Sequence, residues 1–220
     1  LETKKQGNIT IDMKTLNLQN LSRPEAFQTT ISKKVRAKAL KIAKNFKGNI
    51  LDIGCGNGLL MLELLDGNGE NDYVFGIDYD YNILLEGSTI FKDNAINSNR
   101  FIYCDAFRSP LRNKSFDMIF CLNTFMNIDS IKTIYKLIFE MYRICNDSGK
   151  IIFDFRNSDN PVLRRKYIQS AENKGLEIYS YRRTDFYSIV EKLKPKKINF
   201  IPIGLPIQFL TLGYIAVMEK

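Results

Sequence analysis

Residues 49–60, Asn-Ile-Leu-Asp-Ile-Gly-Cys-Gly-Asn-Gly-Leu-Leu, constrain this chain more than any other stretch. An apolar run ends in a turn with glycine at every second position (Gly54, Gly56, Gly58), and a helix-prone apolar segment follows from Leu59 to Leu65. That order reads as strand, tight turn, helix. Glycine permits φ > 0 and lets a ligand approach where a Cβ would stand. A helix starting near Leu59 turns its free N–H groups and the positive end of its dipole toward the same space. Two phosphate-binding patterns are excluded. The dinucleotide fingerprint Gly-x-Gly-x-x-Gly needs its last glycine at position 59, which is Leu59. A Walker loop needs a Gly-Lys-Ser/Thr that is missing. What remains is Asp52-x-Gly54-x-Gly56-x-Gly58, which alone is also compatible with a glycine turn that holds no ligand.

The chain around this turn alternates strand and helix. Ile31, Val35, Ala39, Ile42 and Phe46 recur at helical spacing, so a helix runs from Pro24, with Ser22 as its cap, to Gly48. Lys34, Lys38 and Lys41 fall on its other face. Further strands are expected over 73–78, 100–105, 116–122 and 150–155, the last entered through a turn at 146–149. Helices are expected over 81–92 and about 131–145. Later come a helix over 161–174, a helix to Leu193 capped near Thr184, and strands over 197–202 and 209–218 joined as a hairpin. The strands are continuous apolar runs, as parallel strands buried on both faces should be. Alternating β and α at this spacing calls for a parallel sheet with helices on both faces.

Composition removes several function classes. With 220 residues and no repeat or low-complexity tract, the chain suits one domain, with residues 1–22 as a polar arm. No apolar run reaches the about 18–20 residues of a membrane span, and no signal-peptide core stands at residue 1, so a cytoplasmic protein with no membrane partner is expected. Cys55, Cys104, Cys121 and Cys145 are scattered, which favours free thiols over disulfides or a metal site. Histidine is absent, which excludes Ser-His-Asp and Cys-His hydrolases and removes the commonest metal ligand. No metal is expected. The net charge of +8 is uneven: +8 over residues 1–48, −6 over 49–155 and +6 over 156–220. Such asymmetry fits an anionic partner or a lysine-rich solvated surface.

In an open α/β sheet, ligands bind at the carboxyl ends of the strands. Asp52 leads into the glycine turn, Asp78 and Tyr79 follow the second strand, Asp105 and Ala106 the third, and Cys121, Leu122 and Asn123 the fourth. This constellation resembles the class I methyltransferases that use S-adenosylmethionine (SAM), over about residues 30–155 and again at the final strands. The resemblance implies a doubly wound α/β/α sandwich with a mostly parallel seven-stranded sheet whose last strand is antiparallel. It also implies SAM held by Asp52, Gly54, Cys55, Gly56, Asp78, Tyr79, Asp105, Ala106 and Cys121, and S-adenosylhomocysteine (SAH) as product.

The acceptor is less legible. Residues 156–183 exceed what this fold requires, and insertions here in the family commonly cover the acceptor site. Arg164, Arg165, Tyr167, Tyr179, Tyr181 and Arg182 in it suit an anionic or sugar-like small molecule. Asn123, Arg156 and Asn157 are the acceptor-side candidates. The Asp/Asn-Pro-Pro-Tyr/Phe signature of nucleobase amino-methyltransferases is missing after the fourth strand, where Asn123-Thr124-Phe125-Met126 stands. Methyl transfer to an O or N atom of a small molecule therefore leads. RNA or protein methylation follows it, and a SAM-binding regulator without catalysis is the reading from another class.

Overall fold

A strand buried on both faces must direct alternate side chains to two different apolar layers. The computed structural model, which describes residues 29–67, 73–175 and 177–220, shows both layers. Leu51, Ile53, Ile119, Ile151, Phe153, Phe155, Ala216 and Met218 enter one core with Ile134, Leu137, Ile138, Met141, Phe186 and Ile189. Ile50, Met118, Phe120, Ile152, Ile215 and Val217 enter the other with Val35, Ala39, Leu60, Leu64, Leu84 and Phe91.

The elements run α1 (Thr30–Ala43), β1 (Ile50–Ile53), α2 (Leu59–Gly67), β2 (Val74–Asp78), α3 (Tyr81–Asp93) and β3 (Phe101–Tyr103). A 3-10 turn η1 (Ala106–Arg108), β4 (Phe116–Cys121), η2 (Phe125–Asn127), α4 (Ile131–Ile144) and β5 (Cys145–Arg156) follow. Then come α5 (Pro161–Lys174), η3 (Arg183–Phe186), α6 (Tyr187–Leu193), β6 (Lys197–Ile203) and β7 (Gly213–Glu219). The sheet has seven strands in the order β3-β2-β1-β4-β5-β7-β6. Strands β1 to β5 pair in parallel, and β7 is antiparallel to both β5 and β6. The order reverses between β1 and β4, which opens a crevice at their carboxyl ends. The four cysteines are free thiols.

Several boundaries differ from the sequence reading. The expected arm, Ser22 and Pro24 lie outside the described residues; the described helix is capped by Thr29, whose Oγ1 accepts the Ser32 N–H at 3.1 Å. It ends at Ala43 rather than Gly48, because Asn45 turns to φ 61°. Gly48 serves the next contact instead. A Cβ there would stand 2.7 Å from Asp117 Oδ2, the oxygen that accepts the Asn49 N–H at 2.8 Å and sets β1 against β4. Residues 146–149 are not a free turn before β5 but a bulge within it: Phe116 pairs with Cys145 and Met118 already with Lys150. Asn146 Nδ2 donates to Asp117 Oδ1 at 2.5 Å across that bulge. Thr184 is not a helix cap but lies inside η3, where the Asp185 carboxylate accepts the Arg182 N–H at 2.8 Å. The last strand begins at Gly213, not Phe209, since Gly213 is the first residue in register with both Ile203 and Arg156.

Candidate active site

The pleat brings four charged side chains to one face of the carboxyl edge. Asp52 follows Ile50 by two residues, Asp78 follows Gly76, and Asp154 and Arg156 continue the parity of Ile152, so all four share the α1–α2–α3 face.

The turn after β1 is left-handed at three glycines, with φ of 71° at Gly54, 55° at Gly56 and 80° at Gly58. Gly54 and Cys55 both donate N–H to the Ile77 carbonyl, at 2.9 and 3.1 Å, tying the turn to β2. A Cβ on Gly54 would lie 2.5 Å from Thr124 Oγ1. At this glycine the room is taken by the loop after β4, whereas the sequence argument reserved it for a ligand.

Asp78, at the end of β2, reaches back over the turn. Its Oδ2 accepts the Gly56 N–H at 2.9 Å and its Oδ1 accepts the Asp80 N–H at 3.0 Å. An ionised carboxylate offers about four acceptor positions, so about two remain. Asp80 in turn caps α3, accepting from Asn82 and Ile83. Tyr79, between them, is 77% exposed.

Asp52 is the reverse case. It is 3% exposed, and no hydrogen bond from the described residues reaches its carboxyl. Burial, and after it the charge of nearby Asp78, pushes this carboxyl well above the ordinary range. An ionised carboxyl buried without a partner is costly, so such a group favours its protonated form until something cationic meets it.

Asp105 is exposed, and its Oδ1 accepts the Phe107 N–H at 2.8 Å; Ala106 opens the short turn so capped. Cys55 and Cys121 are buried, and burial is the main cause raising both thiols above their usual range. Such thiols are packing groups rather than nucleophiles.

Beyond β4 the polar groups form one buried cluster. Asn123, at φ 55°, donates its N–H to Asp154 Oδ1 at 2.5 Å. Arg156 Nη1 stands 2.5 Å from Asp154 Oδ2, and its Nη2 donates to Asn123 Oδ1 at 2.8 Å. Burial pushes the Asp154 carboxyl up, and Arg156 pulls it back. From α5, the Tyr167 hydroxyl is enclosed near this pair; burial raises it and the Arg156 guanidinium lowers it, and among the described residues no hydrogen bond of proper geometry reaches it.

Asn157 does not join the cluster. Fully buried, it donates from Nδ2 to the Gln208 and Thr211 carbonyls at 2.6 and 3.0 Å, anchoring the β6–β7 connection. The segment before η3 lies along the end of β5: Tyr181 N donates to Arg156 O at 2.8 Å and Tyr179 N to Met126 O at 2.9 Å. The Tyr181 hydroxyl donates to Ile128 O.

Asp154 was missed in the sequence reading, and Tyr167 was not separated from its neighbours. A signal existed for the first. An aspartate inside an apolar parallel strand must find a partner, and Arg156 is two residues on, on the same face.

Residues 50–149 match the family described as "Methyltransferase domain". The chain is 28% identical over 121 residues to a demethylmenaquinone methyltransferase of Bacillus pumilus, covering 54% of this chain and 50% of that one. It is 27% identical over 118 residues to the Lactococcus lactis protein of the same name, covering 53% and 46%. The chain thus spans about half the length of these curated relatives. Among solved structures, a SAM dependent methyltransferase from Archaeoglobus fulgidus superposes with a TM-score of 0.65 at 16% identity, covering 86% of this chain and 93% of that one. Magnesium protoporphyrin IX methyltransferase from Synechocystis, with bound SAH, gives 0.65 at 14% identity, covering 87% and 88%. Residues 50–149 of this chain thus match a methyltransferase domain, and its fold is the one these solved SAM-dependent methyltransferases share.

Proposed function

We propose that the chain transfers a methyl group from SAM to a small organic acceptor at the carboxyl edge of β1, β2, β4 and β5. The observation that carries this is Asp52, a buried carboxyl beside the glycine turn that no hydrogen bond or ion pair among the described residues reaches. The positive charge of SAM answers that vacant electrostatic demand. The remaining acceptor positions of Asp78 suit two ribose hydroxyls, and Asp105 with the Ala106 N–H suits an adenine edge. Gly54, Cys55, Gly56, Tyr79 and Cys121 complete the set as backbone and walls.

When bound, SAM supplies a methyl group already activated on a sulfonium. The chain's own residues need only hold the acceptor in line and exclude water. Arg156 and Asn123 form a polar floor next to the α5 helix, and the Tyr167 hydroxyl, enclosed behind it, would act on an acceptor O or N atom by positioning Arg156. The segment 156–183, which runs over the ends of β4 and β5, would enclose that acceptor. The relatives' name, which specifies a small-molecule substrate, supports this class over RNA or protein.

Calorimetry should show SAM and SAH binding in the micromolar range, equivalent to about −8 kcal/mol. A panel of small metabolites, scored by SAH release, should identify the acceptor. No heat from either ligand on folded protein would remove the reading. Binding without SAH release in any cell extract would turn it into a SAM-binding regulator.

A further inference from the structure

The β6–β7 connection, residues 204–212, carries four large apolar side chains facing outward: Leu205, Ile207, Phe209 and Leu210 are 59, 45, 58 and 40% exposed. Single exposed apolar residues are ordinary, but a contiguous set marks a contact surface. The loop backbone is firmly held while these side chains project. Asn157 Nδ2 donates to the Gln208 and Thr211 carbonyls, Asn160 Nδ2 to Thr211 O at 3.2 Å, and Thr211 Oγ1 to Ile207 O at 3.0 Å. Outward apolar side chains are thus built into a well-bonded loop.

Two arginines share a cleft with this loop. A cleft of about 240 Å³ beside it is lined by Asp159, Arg182, Arg183, Thr184, Gln208 and Tyr214. Asp159 is already occupied, by Gln208 Nε2 at 2.9 Å and Arg182 Nε at 3.2 Å. Arg183 is not: its guanidinium stands 6.0 Å over the Tyr214 ring, and among the described residues no carboxylate pairs with it. Asn160, bonded to the same loop, caps α5, which then exposes Val162 (71%), Arg164, Arg165, Lys166 and Ile168 (52%). Apolar tips beside cations that no carboxylate among the described residues pairs with make the pattern of an interfacial surface.

We propose that this edge docks on an anionic lipid bilayer, with Leu205, Ile207, Phe209 and Leu210 entering the acyl boundary and Arg164, Arg165 and Arg183 meeting phosphate headgroups. The cleft at Arg183 and Thr184 takes one lipid phosphate. Charge complementarity selects the partner, since Asp159 in the cleft is taken up by Arg182, and guanidinium groups that no carboxylate among the described residues pairs with suit phosphate. A protein surface that merely covered the apolar tips would not need them. No helix among the described residues is long and apolar enough to cross a membrane, and docking of this kind needs none. The expectation of no membrane partner rested on a missing span and a missing signal-peptide core, neither of which bears on surface docking. Docking goes beyond the methyl-transfer reading and stands or falls apart from it.

The test is co-sedimentation of the purified chain with vesicles of phosphatidylcholine, with and without phosphatidylglycerol. Binding is expected to the mixed vesicles, much less to pure phosphatidylcholine, and lost near 1 M salt, where the Debye length is about 3 Å. Arg164→Ala with Arg165→Ala should weaken binding about tenfold or more, from about 1 kcal/mol per cation at the surface. Leu205→Ser with Phe209→Ser should do the same, with far-UV circular dichroism and melting unchanged. Arg183→Ala serves as an independent variant. Absence of binding to the mixed vesicles overturns the proposal, and so does equal binding by the folded serine pair. Self-association lost in the serine pair, without vesicle binding, would assign the patch to a second copy instead.

Discussion

The Asp78 carboxylate accepts the Gly56 N–H at 2.9 Å, so the acid after β2 and the glycine turn after β1 behave as one unit. The same carboxylate accepts the Asp80 N–H and thereby sets the start of α3. Asp78 therefore has a structural role as well as the proposed ligand role, and the two are separable by experiment.

Asp78→Ala should weaken SAM binding by about 2–4 kcal/mol, since bonds to a charged group are worth roughly 1.5–3 kcal/mol each. It should also lower unfolding stability by about 1–3 kcal/mol, because two backbone N–H groups lose their acceptor. Calorimetry and urea unfolding on the same preparation measure both. Unchanged affinity with reduced stability would leave Asp78 a structural clamp only.

Asp52→Asn should move stability and binding in opposite directions. The Asp52 carboxyl is raised in the unligated fold, so the protonated form favours folding. Stability from this group is whole below the unfolded value of about 3.9 and is lost as pH rises through the raised folded value. Removing the charge should stabilise the unligated protein by about 1 kcal/mol at neutral pH and flatten that slope in a series of thermal melts. A bound cation would lower the carboxyl again. SAM affinity of the parent should therefore rise with pH between the bound and free values, with proton release, and Asp52→Asn should bind more weakly and without that dependence.

Gly54→Ala should cost about 2–4 kcal/mol, combining a left-handed backbone with overpacking against Thr124. The two terms can be separated. Thr124→Ala removes the atom that a new Cβ would meet at 2.5 Å, so the double variant should regain the overpacking part and keep the backbone part. Chemical denaturation of the four proteins reads the coupling.

Arg156→Ala should destabilise by about 3–5 kcal/mol, because it strands the Asp154 carboxyl in the interior. Loss of activity in that variant would say little about the acceptor. Tyr167→Phe is the informative change. Its hydroxyl makes no good hydrogen bond, so stability should stay within about 0.5 kcal/mol or rise. SAM affinity should be unchanged while turnover of the identified acceptor drops about tenfold or more. Replacing Lys34, Lys38 and Lys41 should alter neither; loss of methylation there would favour a polyanionic acceptor such as RNA across α1.

What the sequence determined by itself was whatever near neighbours decide. Glycines at 54, 56 and 58 announced a left-handed turn, and the apolar runs at 50–53, 74–78 and 116–121 announced strands covered on both faces. Their order carried the fold class, and the residue types at the strand ends carried the cofactor expectation. The tertiary structure decided what depends on partners far along the chain. Asn123 and Arg156 meet through Asp154 only because β4 pairs with β5, and Tyr167 joins them only because α5 folds back over that edge. Phe209 and Leu210 read as strand from their composition and instead stand in the connection, exposed. Hydrophobic pattern reports which residues prefer burial. Whether a given one achieves it depends on what packs against it, and that contact is set by chain segments the local pattern does not contain.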